Sequence, residues 1–353
     1  MAPSFERGKS SPTKCIPFCR RDGKNRKVCL ITPCGYRIVA NMRPSQGREE
    51  SSILSTRTIV IPIKESFLFG IICLMQKSDL QKVAVAYIGR RSSGQPIDHT
   101  LRVTLNFHPD RQSNGIHILD AIRQAGIYRS QYETGTSNGG LTAHPGGDRW
   151  SWESRIYGTV YDGATPQDRP KYGALNYKKS PYGGSPRFGS SYFRLTEDCL
   201  ERTTFCYPDS VFNPENFGVA AKMDLIKLAV ADNKDMLDDY IEAQAHGSIV
   251  LSDDVEALVL DKCYRETDVE VAARKLPCKI EWHPGFKLDT KTLKLHPEYR
   301  GDEYVELGLK LAQDGLLDAK IIGDASRSGK YDQQALKRVW HYVARFGGVA
   351  PTP

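Results

Sequence analysis

This 353-residue chain contains no run of about 20 apolar residues, the length a membrane-spanning helix needs. Its longest apolar segment, Phe67 to Met75 (FLFGIICLM), is less than half that length and lies too far inside the chain to read as a signal peptide. No G-x-G-x-x-G follows a strand pattern and opens a helix, which excludes a Rossmann-type dehydrogenase. There are no internal repeats. With 40% apolar and 26% charged residues, 30 Gly and 20 Pro, the composition is globular and excludes a collagen-like, coiled-coil or wholly disordered chain. At this length one large domain or two smaller ones can each bury a core.

Net charge is also missing from most of the chain. Residues 1–50 hold 11 Lys and Arg against 4 acids, which accounts for the whole +7, and the remainder carries 38 charges of each sign. The basic pI therefore belongs to a leader punctuated by Ser, Pro and Gly, which reads as an unstructured arm. Nucleic acid is not an expected partner except through that arm. Of nine cysteines, Cys15, Cys19, Cys29 and Cys34 cluster in the leader with the spacing C-x3-C-x9-C-x4-C. That spacing departs from paired zinc-ribbon patterns and has no His beside it, so reduced thiols are expected and no metal. An odd cysteine count without a signal peptide points to a reducing, cytoplasmic setting for a soluble protein.

Thr58–Ile63, Val83–Ile88, Leu101–Phe107, Ser190–Leu195 and Thr203–Tyr207 are expected as strands, and Leu101–Phe107 (LRVTLNF) alternates as a strand with one buried face. Ile116–Ala125 has helical spacing and ends at Gly126, a suitable C-terminal cap. Tyr128–Leu141 reads as a polar strand running into a Gly-rich loop, and 143–187 as an irregular region rich in Gly, Pro, Trp and Tyr. Phe217–Asp239 is expected to be largely helical, Tyr240–Val250 a strand, Asp254–Leu260 helical, and the chain from Tyr304 onward helical. The class is α+β or mixed α/β. Three regions follow: an arm at 1–55, a catalytic core at 56–265 and a mainly helical C-terminal extension at 266–353.

Reactive side chains gather at three strand ends: Phe107-His108-Pro109-Asp110-Arg111, Glu133-Thr134-Gly135-Thr136-Ser137-Asn138-Gly139-Gly140, and Tyr240-Ile241-Glu242-Ala243-Gln244-Ala245-His246-Gly247. Period-two geometry puts Glu242 and Gln244 on one face, an odd choice for a buried strand unless that face lines a pocket. Read in order, a strand ending in His, a helix, a Gly-Thr-Ser loop and a late Glu-x-Gln strand resemble the mono-ADP-ribosyltransferase superfamily. The stretches TLNFHPDR (104–111), YRSQYETGTSNGG (128–140), RPKYGALNY (169–177), RFGSSYFRL (187–195), RTTFCYPDS (202–210) and EAQAHG (242–247) resemble more closely the family called domain of unknown function number 3626.

The superfamily resemblance implies an ADP-ribosyltransferase-like split β-core that takes NAD as substrate. It would transfer ADP-ribose to a protein or small-molecule acceptor and release nicotinamide. Cleaving the nicotinamide–ribose bond passes through an oxocarbenium-like state, which a carboxylate can stabilise. Glu242 takes that role in this reading, and Gln244 positions the acceptor. His108 and Arg111 hold the ribose and pyrophosphate, while Gly135, Thr136, Ser137, Asn138 and Gly139 brace the cofactor pocket. Glu133 and Glu153 are rival carboxylates. The departures are that Glu precedes Gln, that Thr-Gly-Thr-Ser stands for Ser-Thr-Ser, and that a first-strand His accompanies a Ser-rich second strand. They leave open NAD glycohydrolysis, a metal-dependent hydrolase using His108, Asp110, His117 or His144, and a non-catalytic binding module.

Overall fold

A computed structural model describes residues 18–22, 25–31, 37–42, 80–113, 115–135 and 142–348. They belong to two units, 1–62 and 63–353. In the first unit, β1 (Phe18–Asp22), β2 (Asn25–Ile31) and β3 (Arg37–Met42) form an antiparallel meander, with Phe18 opposite Cys29 and Leu30 opposite Ile38. The leader, read as unstructured, thus carries three strands. Cys15 and Cys34 lie outside the described residues, as does the strand expected at Thr58–Ile63.

The second unit is built on an eight-stranded sheet. In chain order its strands are β4 (Val103–Phe107), β5 (Lys171–Leu175), β6 (Ser191–Leu195), β7 (Thr203–Tyr207), β8 (Asn216–Val219), β9 (Ile241–Ala245), β10 (Val255–Asp261) and β11 (Lys279–His283). Across the sheet the order is β8-β7-β9-β5-β4-β6-β10-β11, antiparallel throughout except for the final parallel pair. The class is therefore mixed α/β with a mostly antiparallel central sheet.

Both faces of the sheet are covered. Leu105, Phe193, Phe205, Ala243 and Leu258 join Leu119, Trp340 and Val343 in the main core. On the other face Cys206 packs with Ala84, Ile88, Tyr157 and Tyr161 in a second cluster. This explains a departure from the sequence reading, which gave β4 one buried face: all five of its residues are buried. Thr104 and Asn106, the polar half of the alternation, are covered by the segment 182–189. The Gly184 N–H donates to Thr104 Oγ1 at 2.8 Å, and Asn106 Nδ2 donates to the Tyr182 carbonyl at 3.0 Å.

Helices fill the two outer layers. Residues 80–89 form α1, where a strand was expected at Val83–Ile88. Ala84 and Ile88, four residues apart, are fully buried while Val83 is half exposed, so the run is amphipathic at helical spacing, and its short length hid that. The expected helix is α2 (Ile118–Ala125), closed by Gly126 in the left-handed region at φ 67°. The polar strand expected after it shortens to Ile127–Tyr128 and gives way to α3 (Gln131–Thr134), where Ser130 and Glu133 form a capping box. The region read as irregular holds α4 (Asp148–Tyr157) and the central strand β5.

Phe217–Asp239 is helical only in α5 (Leu225–Ala231). Asp254–Leu260, expected as a helix, is β10, whose continuous apolar run suits a strand covered on both sides. The helices α6 (Asp268–Ala273), α7 (Thr290–Lys294), α8 (Asp302–Leu311), α9 (Ala319–Arg327) and α10 (Gln333–Phe346) complete the chain, the last three as the sequence pattern anticipates. Among the described residues no helix is long and apolar enough to cross a membrane.

Candidate functional site

The end of β4, the start of β5 and Glu242 of β9 line a cleft of about 290 Å³. That is at the low end of the roughly 300–1,000 Å³ typical of small-molecule sites. Ile118, Ala121, Ile122 and Ala125 of α2 give the cleft an apolar part of its lining, and His108, Arg111, Arg149, Lys171 and Glu242 give it a polar part. An apolar lining with a few charged groups suits a ligand with both a ring and anionic groups.

Glu242 sits at the start of β9, in the middle of the sheet, opposite Cys206 of β7 and Ala174 of β5. It is buried, and both carboxylate oxygens are held. The Ser210 hydroxyl donates to Oε2 at 2.9 Å and the Ser210 backbone N–H to the same oxygen at 3.3 Å, while Gln244 Nε2 donates to Oε1 at 2.9 Å. Burial raises its pKa above the ordinary carboxylate value and the neighbouring Asp209 adds to that, while the Arg149 guanidinium pulls it back. Asp209 is itself tied to the Tyr240 hydroxyl.

Gln244 is buried and does not line the cleft. Its amide is committed: Oε1 accepts from Thr204 Oγ1 at 2.9 Å and Nε2 serves Glu242. It therefore orients the carboxylate instead of facing an acceptor. His246, the end of the same motif, is a satisfied core residue. It hydrogen-bonds Tyr161 at 2.7 Å and Thr204 at 3.0 Å, and burial lowers its pKa to about 3.

His108 follows β4 directly and lines the cleft. The edge of its ring meets Trp340 of α10, with centroids 4.8 Å apart and planes at 81°. Burial, with Arg111 adding to it, holds its pKa well below the ordinary histidine value, so the imidazole is neutral near pH 7. Arg111 also lines the cleft. Gly135 caps α3 at φ 61° and is not among the lining residues, although Thr134 beside it is. Thr136, Ser137, Asn138 and Gly139 lie outside the described residues.

The rival carboxylates have other work. Glu153 is wholly buried and holds Arg169 at 2.5 Å and the Tyr172 hydroxyl at 2.8 Å. Glu133 closes the capping box of α3. His117 caps α2, its Nδ1 accepting from the Leu119 N–H at 3.3 Å. Among the described residues no group of three or more His, Cys, Asp or Glu side chains is arranged to hold a metal ion.

Arg149 is a site residue that no motif or spacing in the sequence singles out. It stands at the second residue of α4, its guanidinium 4.2 Å from the Tyr172 ring centroid and 5.4 Å from that of Trp152. Its Nε and Nη1 are buried and make no hydrogen bond. A cation held by aromatic faces, with donors left over inside a cleft, suits an anionic ligand group. Two motif glycines explain how the cleft closes so tightly. A Cβ on Gly173 would stand 2.4 Å from the Thr104 carbonyl oxygen, and one on Gly189 would stand 2.1 Å from the Phe107 carbonyl carbon. Only glycine lets β5 and the 182–189 segment press onto β4 there.

The fold and site thus define a mixed α/β protein with a charged, partly apolar cleft against its central sheet. A family model described as "Protein of unknown function (DUF3626)" matches residues 102–234 and 220–346, and the chain belongs to that family. The match takes in every cleft residue named above. No curated protein matches the chain.

Proposed function

We propose that the cleft binds NAD and that the protein transfers its ADP-ribose to a protein or small-molecule acceptor, releasing nicotinamide. In this reading the sheet is the split β-core of the ADP-ribosyltransferase-like fold. The carrying observation is that Glu242, His108 and Arg111, singled out from distant segments, line one cleft. The Glu242 carboxylate, fixed by Ser210 and Gln244, faces the oxocarbenium-like charge that develops as the ribose–nicotinamide bond breaks. The neutral His108 imidazole hydrogen-bonds a ribose hydroxyl, and Arg111 and Arg149 take the pyrophosphate. The α2 wall shelters the nicotinamide ring.

The test is nicotinamide release from NAD by the full chain, with and without candidate acceptors. Release that is abolished by Glu242→Gln supports the reading, and release without any acceptor makes the protein an NAD glycohydrolase. The absence of both NAD binding and turnover would end it.

A further inference from the structure

We propose that Arg187, Lys337 and His341 form an oxyanion site, suited to a phosphate group, beside the His108 end of the cleft. The site is built by α10, which the cleft's own residues do not include. Lys337, Trp340 and His341 share one face of that helix by their i, i+3, i+4 spacing. Trp340 anchors the face: its indole N–H donates to the Pro186 carbonyl at 3.0 Å and its ring meets His108. Pro186–Phe188 is the turn that carries Arg187, and its Phe188 lines the cleft.

The buried polar atoms left without a partner here are donors. Arg300 Nε donates to His341 Nδ1 at 3.2 Å, which leaves the ring proton of the neutral imidazole on Nε2. That Nε2 is buried and has no partner, and neither has Arg187 Nε. Burial and then Arg187, Arg300, Lys337 and Arg338 hold His341 neutral, with its pKa lowered to about 2. The Lys337 ammonium is pushed down by burial and by Arg187, Arg338 and Arg111. Asp238 is the acid that pairs with Arg187, and among the described residues no ion pair engages Lys337, Arg338 or Arg111.

Buried donors without acceptors are costly, and cations in mutual range repel. One group relieves both: an anion with several acceptor oxygens. Phosphate fits better than carboxylate, because it offers more acceptor directions and more than one negative charge at pH 7. The site goes beyond the transfer reading, since it does not depend on Glu242 chemistry.

Titration calorimetry of the full chain with inorganic phosphate and with pyrophosphate tests it. Wild type should show a site that is weakened at least about tenfold by Lys337→Gln and retained by Lys337→Arg, with unchanged melting temperatures showing that both variants fold. No phosphate binding at millimolar concentration, or equal affinity in wild type and Lys337→Gln, overturns the proposal. Repeating the titration in saturating NAD identifies the source. Competition assigns the site to the cofactor's own phosphate, and simultaneous binding assigns it to a phosphate on a second molecule. Lys337-dependent phosphate binding without NAD turnover keeps this site and discards the transferase.

Discussion

Ser210 holds one carboxylate oxygen of Glu242 twice, through its hydroxyl at 2.9 Å and its backbone N–H at 3.3 Å. With Gln244 on the other oxygen, the acid is fixed in position before any ligand arrives. Such prior ordering is what an electrostatic stabiliser needs.

Replacing Glu242 with Gln keeps the shape and one of the two accepting oxygens but removes the charge. Nicotinamide release should fall by roughly 100-fold or more. Stability should move the other way. A carboxyl whose folded pKa is raised stabilises most below its unfolded pKa and loses that contribution as pH rises through the folded value. At pH 7–8 the variant should therefore melt at or above the wild-type temperature, and a large drop would show that Glu242 is structural instead.

Arg149→Gln removes the cation that draws the Glu242 pKa down. The acidic limb of the kcat/KM profile should shift to higher pH, and NAD affinity should weaken about tenfold. Two guanidinium nitrogens make no hydrogen bond, so the melting temperature should change little. An unchanged pH profile and affinity would remove Arg149 from the site.

Asp110 is buried and its pKa is raised to about 6, mainly by that burial, although Arg327 lies 3.1 Å away and pulls it down. Its stabilising contribution is full below about pH 4, the ordinary carboxylate value, and is lost as pH climbs toward 6. Unfolding free energies of wild type and Asp110→Asn from urea titrations between pH 4 and 7 should diverge in favour of the variant, by on the order of 2 kcal/mol. Parallel curves would contradict this.

Gly189→Ala puts a methyl group into the Phe107 backbone, next to His108. Denaturant unfolding should show a loss of roughly 3 kcal/mol, because backbone atoms cannot step aside as a side chain can. Near-wild-type stability would mean that the 182–189 segment moves freely.

The legible part of the site lay where residue type conflicted with its setting. Glu242 and Gln244 stand out because polar side chains alternate in an otherwise apolar strand, and His108 because it ends one. Arg149 stayed hidden because AHPGGDRWSW gives little sign of a helix, and its place beside Tyr172 is set only when α4 folds over β5. Period-two geometry puts Gln244 on the Glu242 face but gives no depth, so its burial away from the cleft was not legible. The strands β6 and β7 and the helix α2 were legible from periodicity and caps. Val83–Ile88 and Asp254–Leu260 were exchanged between helix and strand because short apolar runs carry both signals.

The parallel pairing of β10 with β11, Leu258 opposite Ile280 and Leu260 opposite Trp282, sets a limit on how the protein can be shortened. A fragment stopping at residue 265 would leave the β10 ladder bare along one side and strip Trp340 away from His108. Bare ladders recruit other chains. Such a fragment should clump instead of behaving as a minimal enzyme.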